Sequence, residues 1–225
     1  MPGTANLIRC FIAIELPPEV LRVLEDLKDR LGKGHEQAAK WVPPGGIHLT
    51  LKFLGDVPAD RIPRVAGAMG QVAAAGPPLA LHLAGAGCFP SAERPRVLWA
   101  GLAGDLIRLA QLHSHVQDAM AESGFPREAR AFTPHLTLAR MRDLATPDEL
   151  RRVGSAVKQL AVPRVAFIAS EIALIRSDLL PSGAVHTVLA TSRLGGVREG
   201  GNRNGQGAAA PGAGQGEGGL PESPR

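Results

Sequence analysis

The sequence predicts an α+β fold built twice over from one unit of strand, helix, strand, helix, strand. Three observations carry this reading. The tetrapeptide His48-Leu49-Thr50-Leu51 returns as His135-Leu136-Thr137-Leu138. Around each copy, period-two apolar patterns that suit strands alternate with the three- and four-residue spacing that suits helices. Finally, Phe11 precedes His48 by 37 residues, and Leu98 precedes His135 by the same 37. Shared spacing of elements and motif marks an internal duplication, which constrains the architecture before any single element does.

Residues 9–16 (RCFIAIEL) form an apolar run closed by Pro17 and Pro18, which reads as a buried strand. Over residues 18–31, Val20, Leu24, Leu27 and Leu31 recur at helical spacing, with Glu25, Asp26, Asp29 and Arg30 on the other side. Residues 32–40 read as polar loop and 41–46 as a proline-stiffened turn. The stretch 47–54 (IHLTLKFL) alternates as a strand, 61–75 is an alanine-rich helix, and 79–88 is a strand closed by Phe89-Pro90. The order then restarts with a strand over 96–102. Residues 105–123 form a helix with Leu106, Leu109, Leu112, Val116 and Met120 on one face. A loop over 124–133 leads through Pro134 to a strand over 135–141. A helix over 147–160 follows, opened by a proline where one is favoured. Strands over 164–176, with a candidate break near Ser170, and over 185–191 complete the set. Two such halves pack as two antiparallel-rich sheets with helices on their outer faces, the motif strands side by side near a pseudo-twofold axis.

The chain has 225 residues, 44% of them apolar, enough for a substantial core. Residues 1–194 carry all the patterned elements. Residues 195–225 hold eleven glycines and almost no large apolar side chain, and read as a disordered tail. A net charge of +4 and a pI near 9.6 are compatible with a polyanionic substrate without requiring one. Cys10 and Cys88 fit no metal or redox spacing and read as buried small hydrophobes. No targeting signal and no run of roughly eighteen apolar residues is visible, so the expected setting is the cytoplasm, with no membrane contact.

On a strand, residues i and i+2 share a face roughly 7 Å apart. Each motif therefore displays one imidazole and one hydroxyl, His48 with Thr50 and His135 with Thr137, while the leucines anchor it in the core. Lys52, at i+2 from Thr50, and Arg140 extend the positive charge of the groove. A lone histidine on such a strand is most often structural; two in identical settings are not a coincidence of composition. Opening a strained cyclic phosphodiester needs a base for water, an acid for the departing oxygen and donors for the non-bridging oxygens. Two histidines, with ordinary pKa values of about 6.5, and two threonines supply these. No Cys or carboxylate recurs at ligand spacing, so neither metal nor cofactor is expected. The residues alone leave open which histidine is acid and which is base. His113 and His115 fall in a helix and read as surface; His35, His82 and His186 acquire no role. Trp41 and Phe89 flank the motifs and suit either base stacking or core packing.

These residues, with the segments RCFIAIELPPEV, WVPPGGIHLTLKFLGDV, CFPSAERPRVLWAGL, GFPREARAFTPHLTLAR and IALIRSDLLPSGAVHTVLA, resemble the RNA 2′,3′-cyclic phosphodiesterases of the 2H phosphoesterase superfamily, historically described as 2′-5′ RNA ligases. The resemblance covers residues 9–194. It implies a bilobal fold with a central cleft and metal-independent opening of RNA 2′,3′-cyclic ends to 2′-phosphomonoesters; the expected partners are RNA ends or cyclic nucleotides, and since nothing in the sequence suggests an obligate dimer, the expected state is a monomer. It makes His48 the proton donor and His135 the proton acceptor, with Thr50 and Thr137 on the phosphate and Arg140 beside them. Gly45-Gly46 replaces a bulkier polar pair, His186 stands where an aromatic such as Tyr is usual, and Cys10 replaces Leu. Two other functions use the same residues: 2′-5′ joining of RNA ends at the same site, and a non-catalytic module that binds RNA ends. The second needs only hydrogen-bond donors, so paired acid and base groups argue against it.

Overall fold

A computed structural model describes residues 6–180 and 183–195. The segment 196–225, read as a tail, lies outside the described residues. The strands are β1 (Leu7–Ile14), β2 (Ala39–Trp41), β3 (Leu49–Pro58), β4 (Leu79–Phe89), β5 (Val97–Gly104), β6 (His135–Met141), β7 (Ala166–Ala169), β8 (Glu171–Leu180) and β9 (Gly183–Arg193). Four helices join them: α1 (Pro18–Gly32), α2 (Ile62–Ala75), α3 (Leu106–Glu122) and α4 (Pro147–Lys158). Helix α4 opens as its sequence suggests, with Pro147 in the first turn and a reciprocal capping box between Thr146 and Glu149.

The strands form two antiparallel sheets, in the orders β3-β1-β8-β9 and β2-β6-β5-β4-β7. This is the expected α+β class, but the halves exchange parts. Strand β4 follows the first motif in sequence yet pairs with β5, while β8 returns to pair with β1. The break expected near Ser170 is a change of sheet, since β7 pairs with β4 and β8 with β1. The helices cross over in the same way: α1 packs on β6, α3 on β3. The motif strands are therefore not hydrogen-bonded neighbours. Strand β3 is the edge of its sheet, β6 lies one strand in from the edge of the other, and the two touch across the junction. Strand β2, within the stretch read as loop and turn, pairs Ala39–Trp41 with Met141–Ala139.

Each sheet has a helix-covered face and an open face. On β1, Ile12 and Ile14 point into the main core with Leu49, Leu51, Leu98, Leu136 and Leu138, all essentially fully buried. Burial of each such leucine contributes about 2–3 kcal/mol, so the motif leucines hold their strands down. Phe11 and Ala13 point the other way and pack with Ala173 and Ile175 in a small separate cluster. Cys10 is buried and Cys88 half-buried, both unpaired, and burial raises both thiols to about 11, so they are inert.

On the open face of the five-stranded sheet, Trp99 lies over Gly87, directly across the ladder. A Cβ at Gly87 would fall well inside van der Waals contact with the indole ring. The substitution Gly87→Ala is expected to displace Trp99 and cost about 1–3 kcal/mol of overpacking strain, read as a lower denaturant midpoint with the indole fluorescence altered.

Candidate active site

Both motif strands carry a β-bulge at the same place. Thr50 pairs with Ala13 and Lys52 with Ile12, which leaves Leu51 as the extra residue. In the second copy Thr137 pairs with Trp99 and Ala139 with Leu98, which leaves Leu138. An inserted residue breaks strict alternation, so the side chain two positions beyond the threonine turns to the opposite face. Thr50 stays on the open face with Ala13 and Phe11; Thr137 stays there with Trp99.

The bulge corrects the expectation for Lys52. It carries Lys52 to the core face, beside Ile12, where the side chain is 1% exposed. Its ammonium donates to Gln117 Oε1 at 2.9 Å and to the Pro126 carbonyl at 2.8 Å. Burial lowers its pKa from the ordinary value, with Glu128 acting in the other direction. Lys52 is thus a structural strut rather than a groove cation. The same bulge keeps Arg140 on the open face: it pairs with Val97, whose neighbour at i+2 is Trp99, and is exposed.

His48 stands just before β3. Its ring stacks on Phe11 at 4.4 Å and meets the edge of His186 at 5.1 Å. It also hydrogen-bonds the backbone of Gly46, two residues upstream, which raises its pKa slightly. Burial outweighs this and, with the like charge of His186, lowers the His48 pKa to about 4. A cavity of about 110 Å³ opens beside the ring, lined by Glu15, Leu21, Ile47, Ile175, His186 and Val188. His186 was given no role from sequence, because only the β8–β9 hairpin and the β1–β8 ladder bring it here. Its place at an aromatic position of the related sequences was the signal.

His135 opens β6. Its Nδ1 donates to the Thr133 carbonyl at 2.7 Å, again two residues upstream. That bond fixes the proton on Nδ1 and leaves the Nε2 lone pair free. The ring meets Phe89 edge-on at 5.0 Å, and Phe89 in turn lies 5.2 Å from Trp99. Phe89 therefore belongs to the open face, whereas Trp41 pairs with Ala139 and packs on the core side. Among the described residues, no group of three or more His, Cys, Asp or Glu side chains is placed to hold a metal ion. No helix among them is long and apolar enough to cross a membrane.

Helix α3 ties the two motifs together through Gln117, which the sequence did not single out. Gln117 Nε2 reaches the Leu51 carbonyl, on the bulge itself, at 3.3 Å. Its Oε1 accepts from Lys52 and from the Glu128 backbone at 3.1 Å. Glu128 Oε1 accepts from the Phe53 backbone at 3.0 Å. His113, 3.2 Å from Gln117 Nε2, stacks on Phe132 at 3.9 Å, next to the Thr133 that holds His135. His113 is thus a packed residue of the brace rather than surface, while His115 is exposed as expected.

The family model for LigT-like phosphoesterases matches residues 14–99 and 105–186. The chain belongs to the LigT-like phosphoesterase family. A curated relative from Aquifex aeolicus, named RNA 2′,3′-cyclic phosphodiesterase, is 31% identical over 194 residues, covering 85% of this chain and 100% of the relative. One of the same name from Thermus thermophilus is 34% identical, over 81% of this chain and 88% of its own. Among solved structures, a Thermus thermophilus protein matches with a TM-score of 0.66 at 31% identity, over 84% of this chain and 99% of that one. Escherichia coli LigT, solved as a complex with 3′-AMP, matches with a TM-score of 0.63 at 26% identity, over the same shares.

Two measurements check this geometry. Replacing His186 by Phe removes the like charge, so the His48 imidazole, followed by NMR, is expected to titrate at a higher pH than in the wild type; an unmoved midpoint would mean burial alone sets it. Gln117→Leu leaves the Leu51 carbonyl and one Lys52 donor unpaired and costs about 2–3 kcal/mol. Lys52→Met, which removes the charge together with its need for partners, is expected to cost less by the same unfolding assay.

Proposed function

We propose that this protein opens RNA 2′,3′-cyclic phosphodiester ends to 2′-phosphomonoesters by paired-histidine acid–base catalysis, without a metal. The observation that carries the reading is the pair of identical His-x-Thr units. Each sits on a bulged strand, each histidine is tied to backbone two residues upstream, and the strands meet where the sheets join. The names of the curated relatives support the same substrate class.

In this mechanism a water attacks phosphorus on the side away from the 3′ oxygen. His135 is suited to be the base, because its Nδ1–H is committed to Thr133 and its Nε2 can accept the water proton. The bond from phosphorus to the 3′ oxygen breaks, and His48 supplies a proton to that oxygen. The products are a free 3′ hydroxyl and a phosphate on the 2′ oxygen. Thr50 and Thr137 donate to the non-bridging oxygens as charge grows there.

An acid must be protonated, yet burial and the like charge of His186 push the His48 pKa down to about 4. The bound phosphodiester supplies the missing counter-charge, which favours the imidazolium and raises the pKa. The rate profiles therefore separate. In kcat/KM, which reports the free enzyme, the loss of activity on raising pH begins at lower pH than in kcat, which reports the bound state. Coincident limbs would contradict His48 as the acid.

Incubation of RNA bearing a 2′,3′-cyclic end with the protein and excess chelator is expected to yield only the 2′-phosphate. His48→Ala and His135→Ala are each expected to lower kcat about 10²–10⁴-fold. A 3′-phosphate, loss of turnover on chelation, or joined strands as the main product would overturn the reading.

A further inference from the structure

The two motif histidines are anchored alike, but their anchors are held differently. Each ring is tied to the backbone two residues upstream, His48 to Gly46 and His135 to the Thr133 carbonyl. Gly46 closes a single 3₁₀ turn, Pro44–Gly46, and its own N–H donates to the Pro43 carbonyl at 2.8 Å. Val42, just before that turn, donates to the Leu138 carbonyl at 2.9 Å. Thr133 has no such frame. It lies between helix α3 and strand β6, in a stretch that forms neither helix nor strand. Among the described residues, no hydrogen bond holds residues 129–134 apart from the one that His135 makes to Thr133.

A stacked pair stands in place of the turn. Where Gly45 lies three residues before His48, Phe132 lies three residues before His135. The Phe132 ring is partly buried against the core and stacks on His113 of α3 at 3.9 Å, with 10° between the planes. The bonds of Gln117 fix the state of that imidazole. A carboxamide has two N–H donors and two acceptor sites on its oxygen. Gln117 Oε1 accepts from Lys52 at 2.9 Å and from the Glu128 backbone at 3.1 Å, so turning the amide over would set donor against donor. Its nitrogen gives one hydrogen to the Leu51 carbonyl at 3.3 Å, and the other faces His113 Nε2 at 3.2 Å. His113 Nε2 is therefore the acceptor, and the ring is neutral with its proton on Nδ1. Burial lowers the His113 pKa from its ordinary value; Glu128 opposes this, while Lys52 and Arg127 add to it. One Gln117 amide thus serves both lobes, holding the first bulge with one hydrogen and the His113 ring with the other.

We propose that His113 is a positioning residue for His135: its neutral ring clamps Phe132, and the clamp sets the Thr133 carbonyl that keeps the His135 proton on Nδ1. This rests on the function proposed above, in which His135 Nε2 takes the proton of the attacking water. The hydrogen bond made by one ring nitrogen selects the protonation of the other. Phe132 and Thr133 share a planar peptide unit, so a shift of the phenyl-bearing residue is passed to the next carbonyl. When that carbonyl drifts, part of the population carries its proton on Nε2, where it blocks the base. The flat stack holds the phenyl ring through a broad face rather than a single contact. The first lobe needs no clamp, because its 3₁₀ turn already holds Gly46.

The test joins nitrogen NMR of the imidazoles to steady-state kinetics on a 2′,3′-cyclic nucleotide. In the wild type, His135 is expected to show a protonated Nδ1 and a bare Nε2. His113 is only partly buried and sits within a helix, where alanine is well tolerated. In His113→Ala the two His135 nitrogen shifts are expected to move toward one another as the tautomers mix. With KM unaltered, kcat and kcat/KM should fall together, about tenfold. His113→Phe keeps the stack but leaves one Gln117 N–H unpaired. It is expected to lower the denaturant midpoint yet preserve the His135 tautomer and restore kcat, whereas a merely structural role would make kcat follow stability. Unchanged His135 shifts in His113→Ala would overturn the proposal. Equal loss of the tautomer in both variants would also overturn it, tracing the effect to Gln117 rather than to the stack. The shifts are read without substrate: if the wild type opens no cyclic phosphate, the reaction fails, and the tautomer still decides the role of His113.

Discussion

The arrangement of this protein depends on one inserted residue in each motif strand. A β-strand with perfect alternation would present His48, Thr50 and Lys52 on one face and send Phe53 to the other. The extra residues at Leu51 and Leu138 reverse that order just past each threonine. The reversal removes a lysine from the first lobe's open face and turns the lysine into a strut. In the second lobe it keeps an arginine beside the motif threonine. A bulge also increases local twist, which suits strands at the junction of two sheets.

The strut matters because the two histidines come from different sheets. Strands within a sheet are spaced by their hydrogen bonds, but no ladder fixes β3 relative to β6. Helix α3 supplies that link. Gln117 engages the bulge carbonyl and the Lys52 ammonium of one strand, and through Glu128, Pro126 and the His113–Phe132 stack it reaches the segment that leads into the other. The exchange of strands and helices between halves has the same consequence on a larger scale. Each lobe is completed by pieces of the opposite half, so the lobes cannot separate without losing core burial on both sides.

Much of this was legible in the sequence, and the exceptions have physical causes. Helices α1 and α3 and the motif strands follow from apolar period, because burial of one face sets that period. The duplication followed from the repeated tetrapeptide. Strand exchange was not legible, since periodicity says which residues are buried but not which strand lies alongside. The role of Lys52 was misread for the same reason: a bulge is a property of pairing register, and the segment LTLKF alternates well enough without one. His186 and Gln117 reach the site through hairpin and helix packing, contacts at separations that local pattern does not encode. The three-residue β2 is too short to show any period at all.

A crystal structure of the protein with a uridine 2′,3′-vanadate complex, a five-coordinate mimic of the reacting phosphate, tests the paired-histidine site most directly. His48 Nε2 is expected beside the 3′ oxygen and His135 Nε2 on the opposite, axial oxygen. The Thr50 and Thr137 hydroxyls are expected on the equatorial oxygens, with Lys52 still bound to Gln117. Vanadate held by one motif alone, or bridged to the protein by a metal ion, would contradict the paired site.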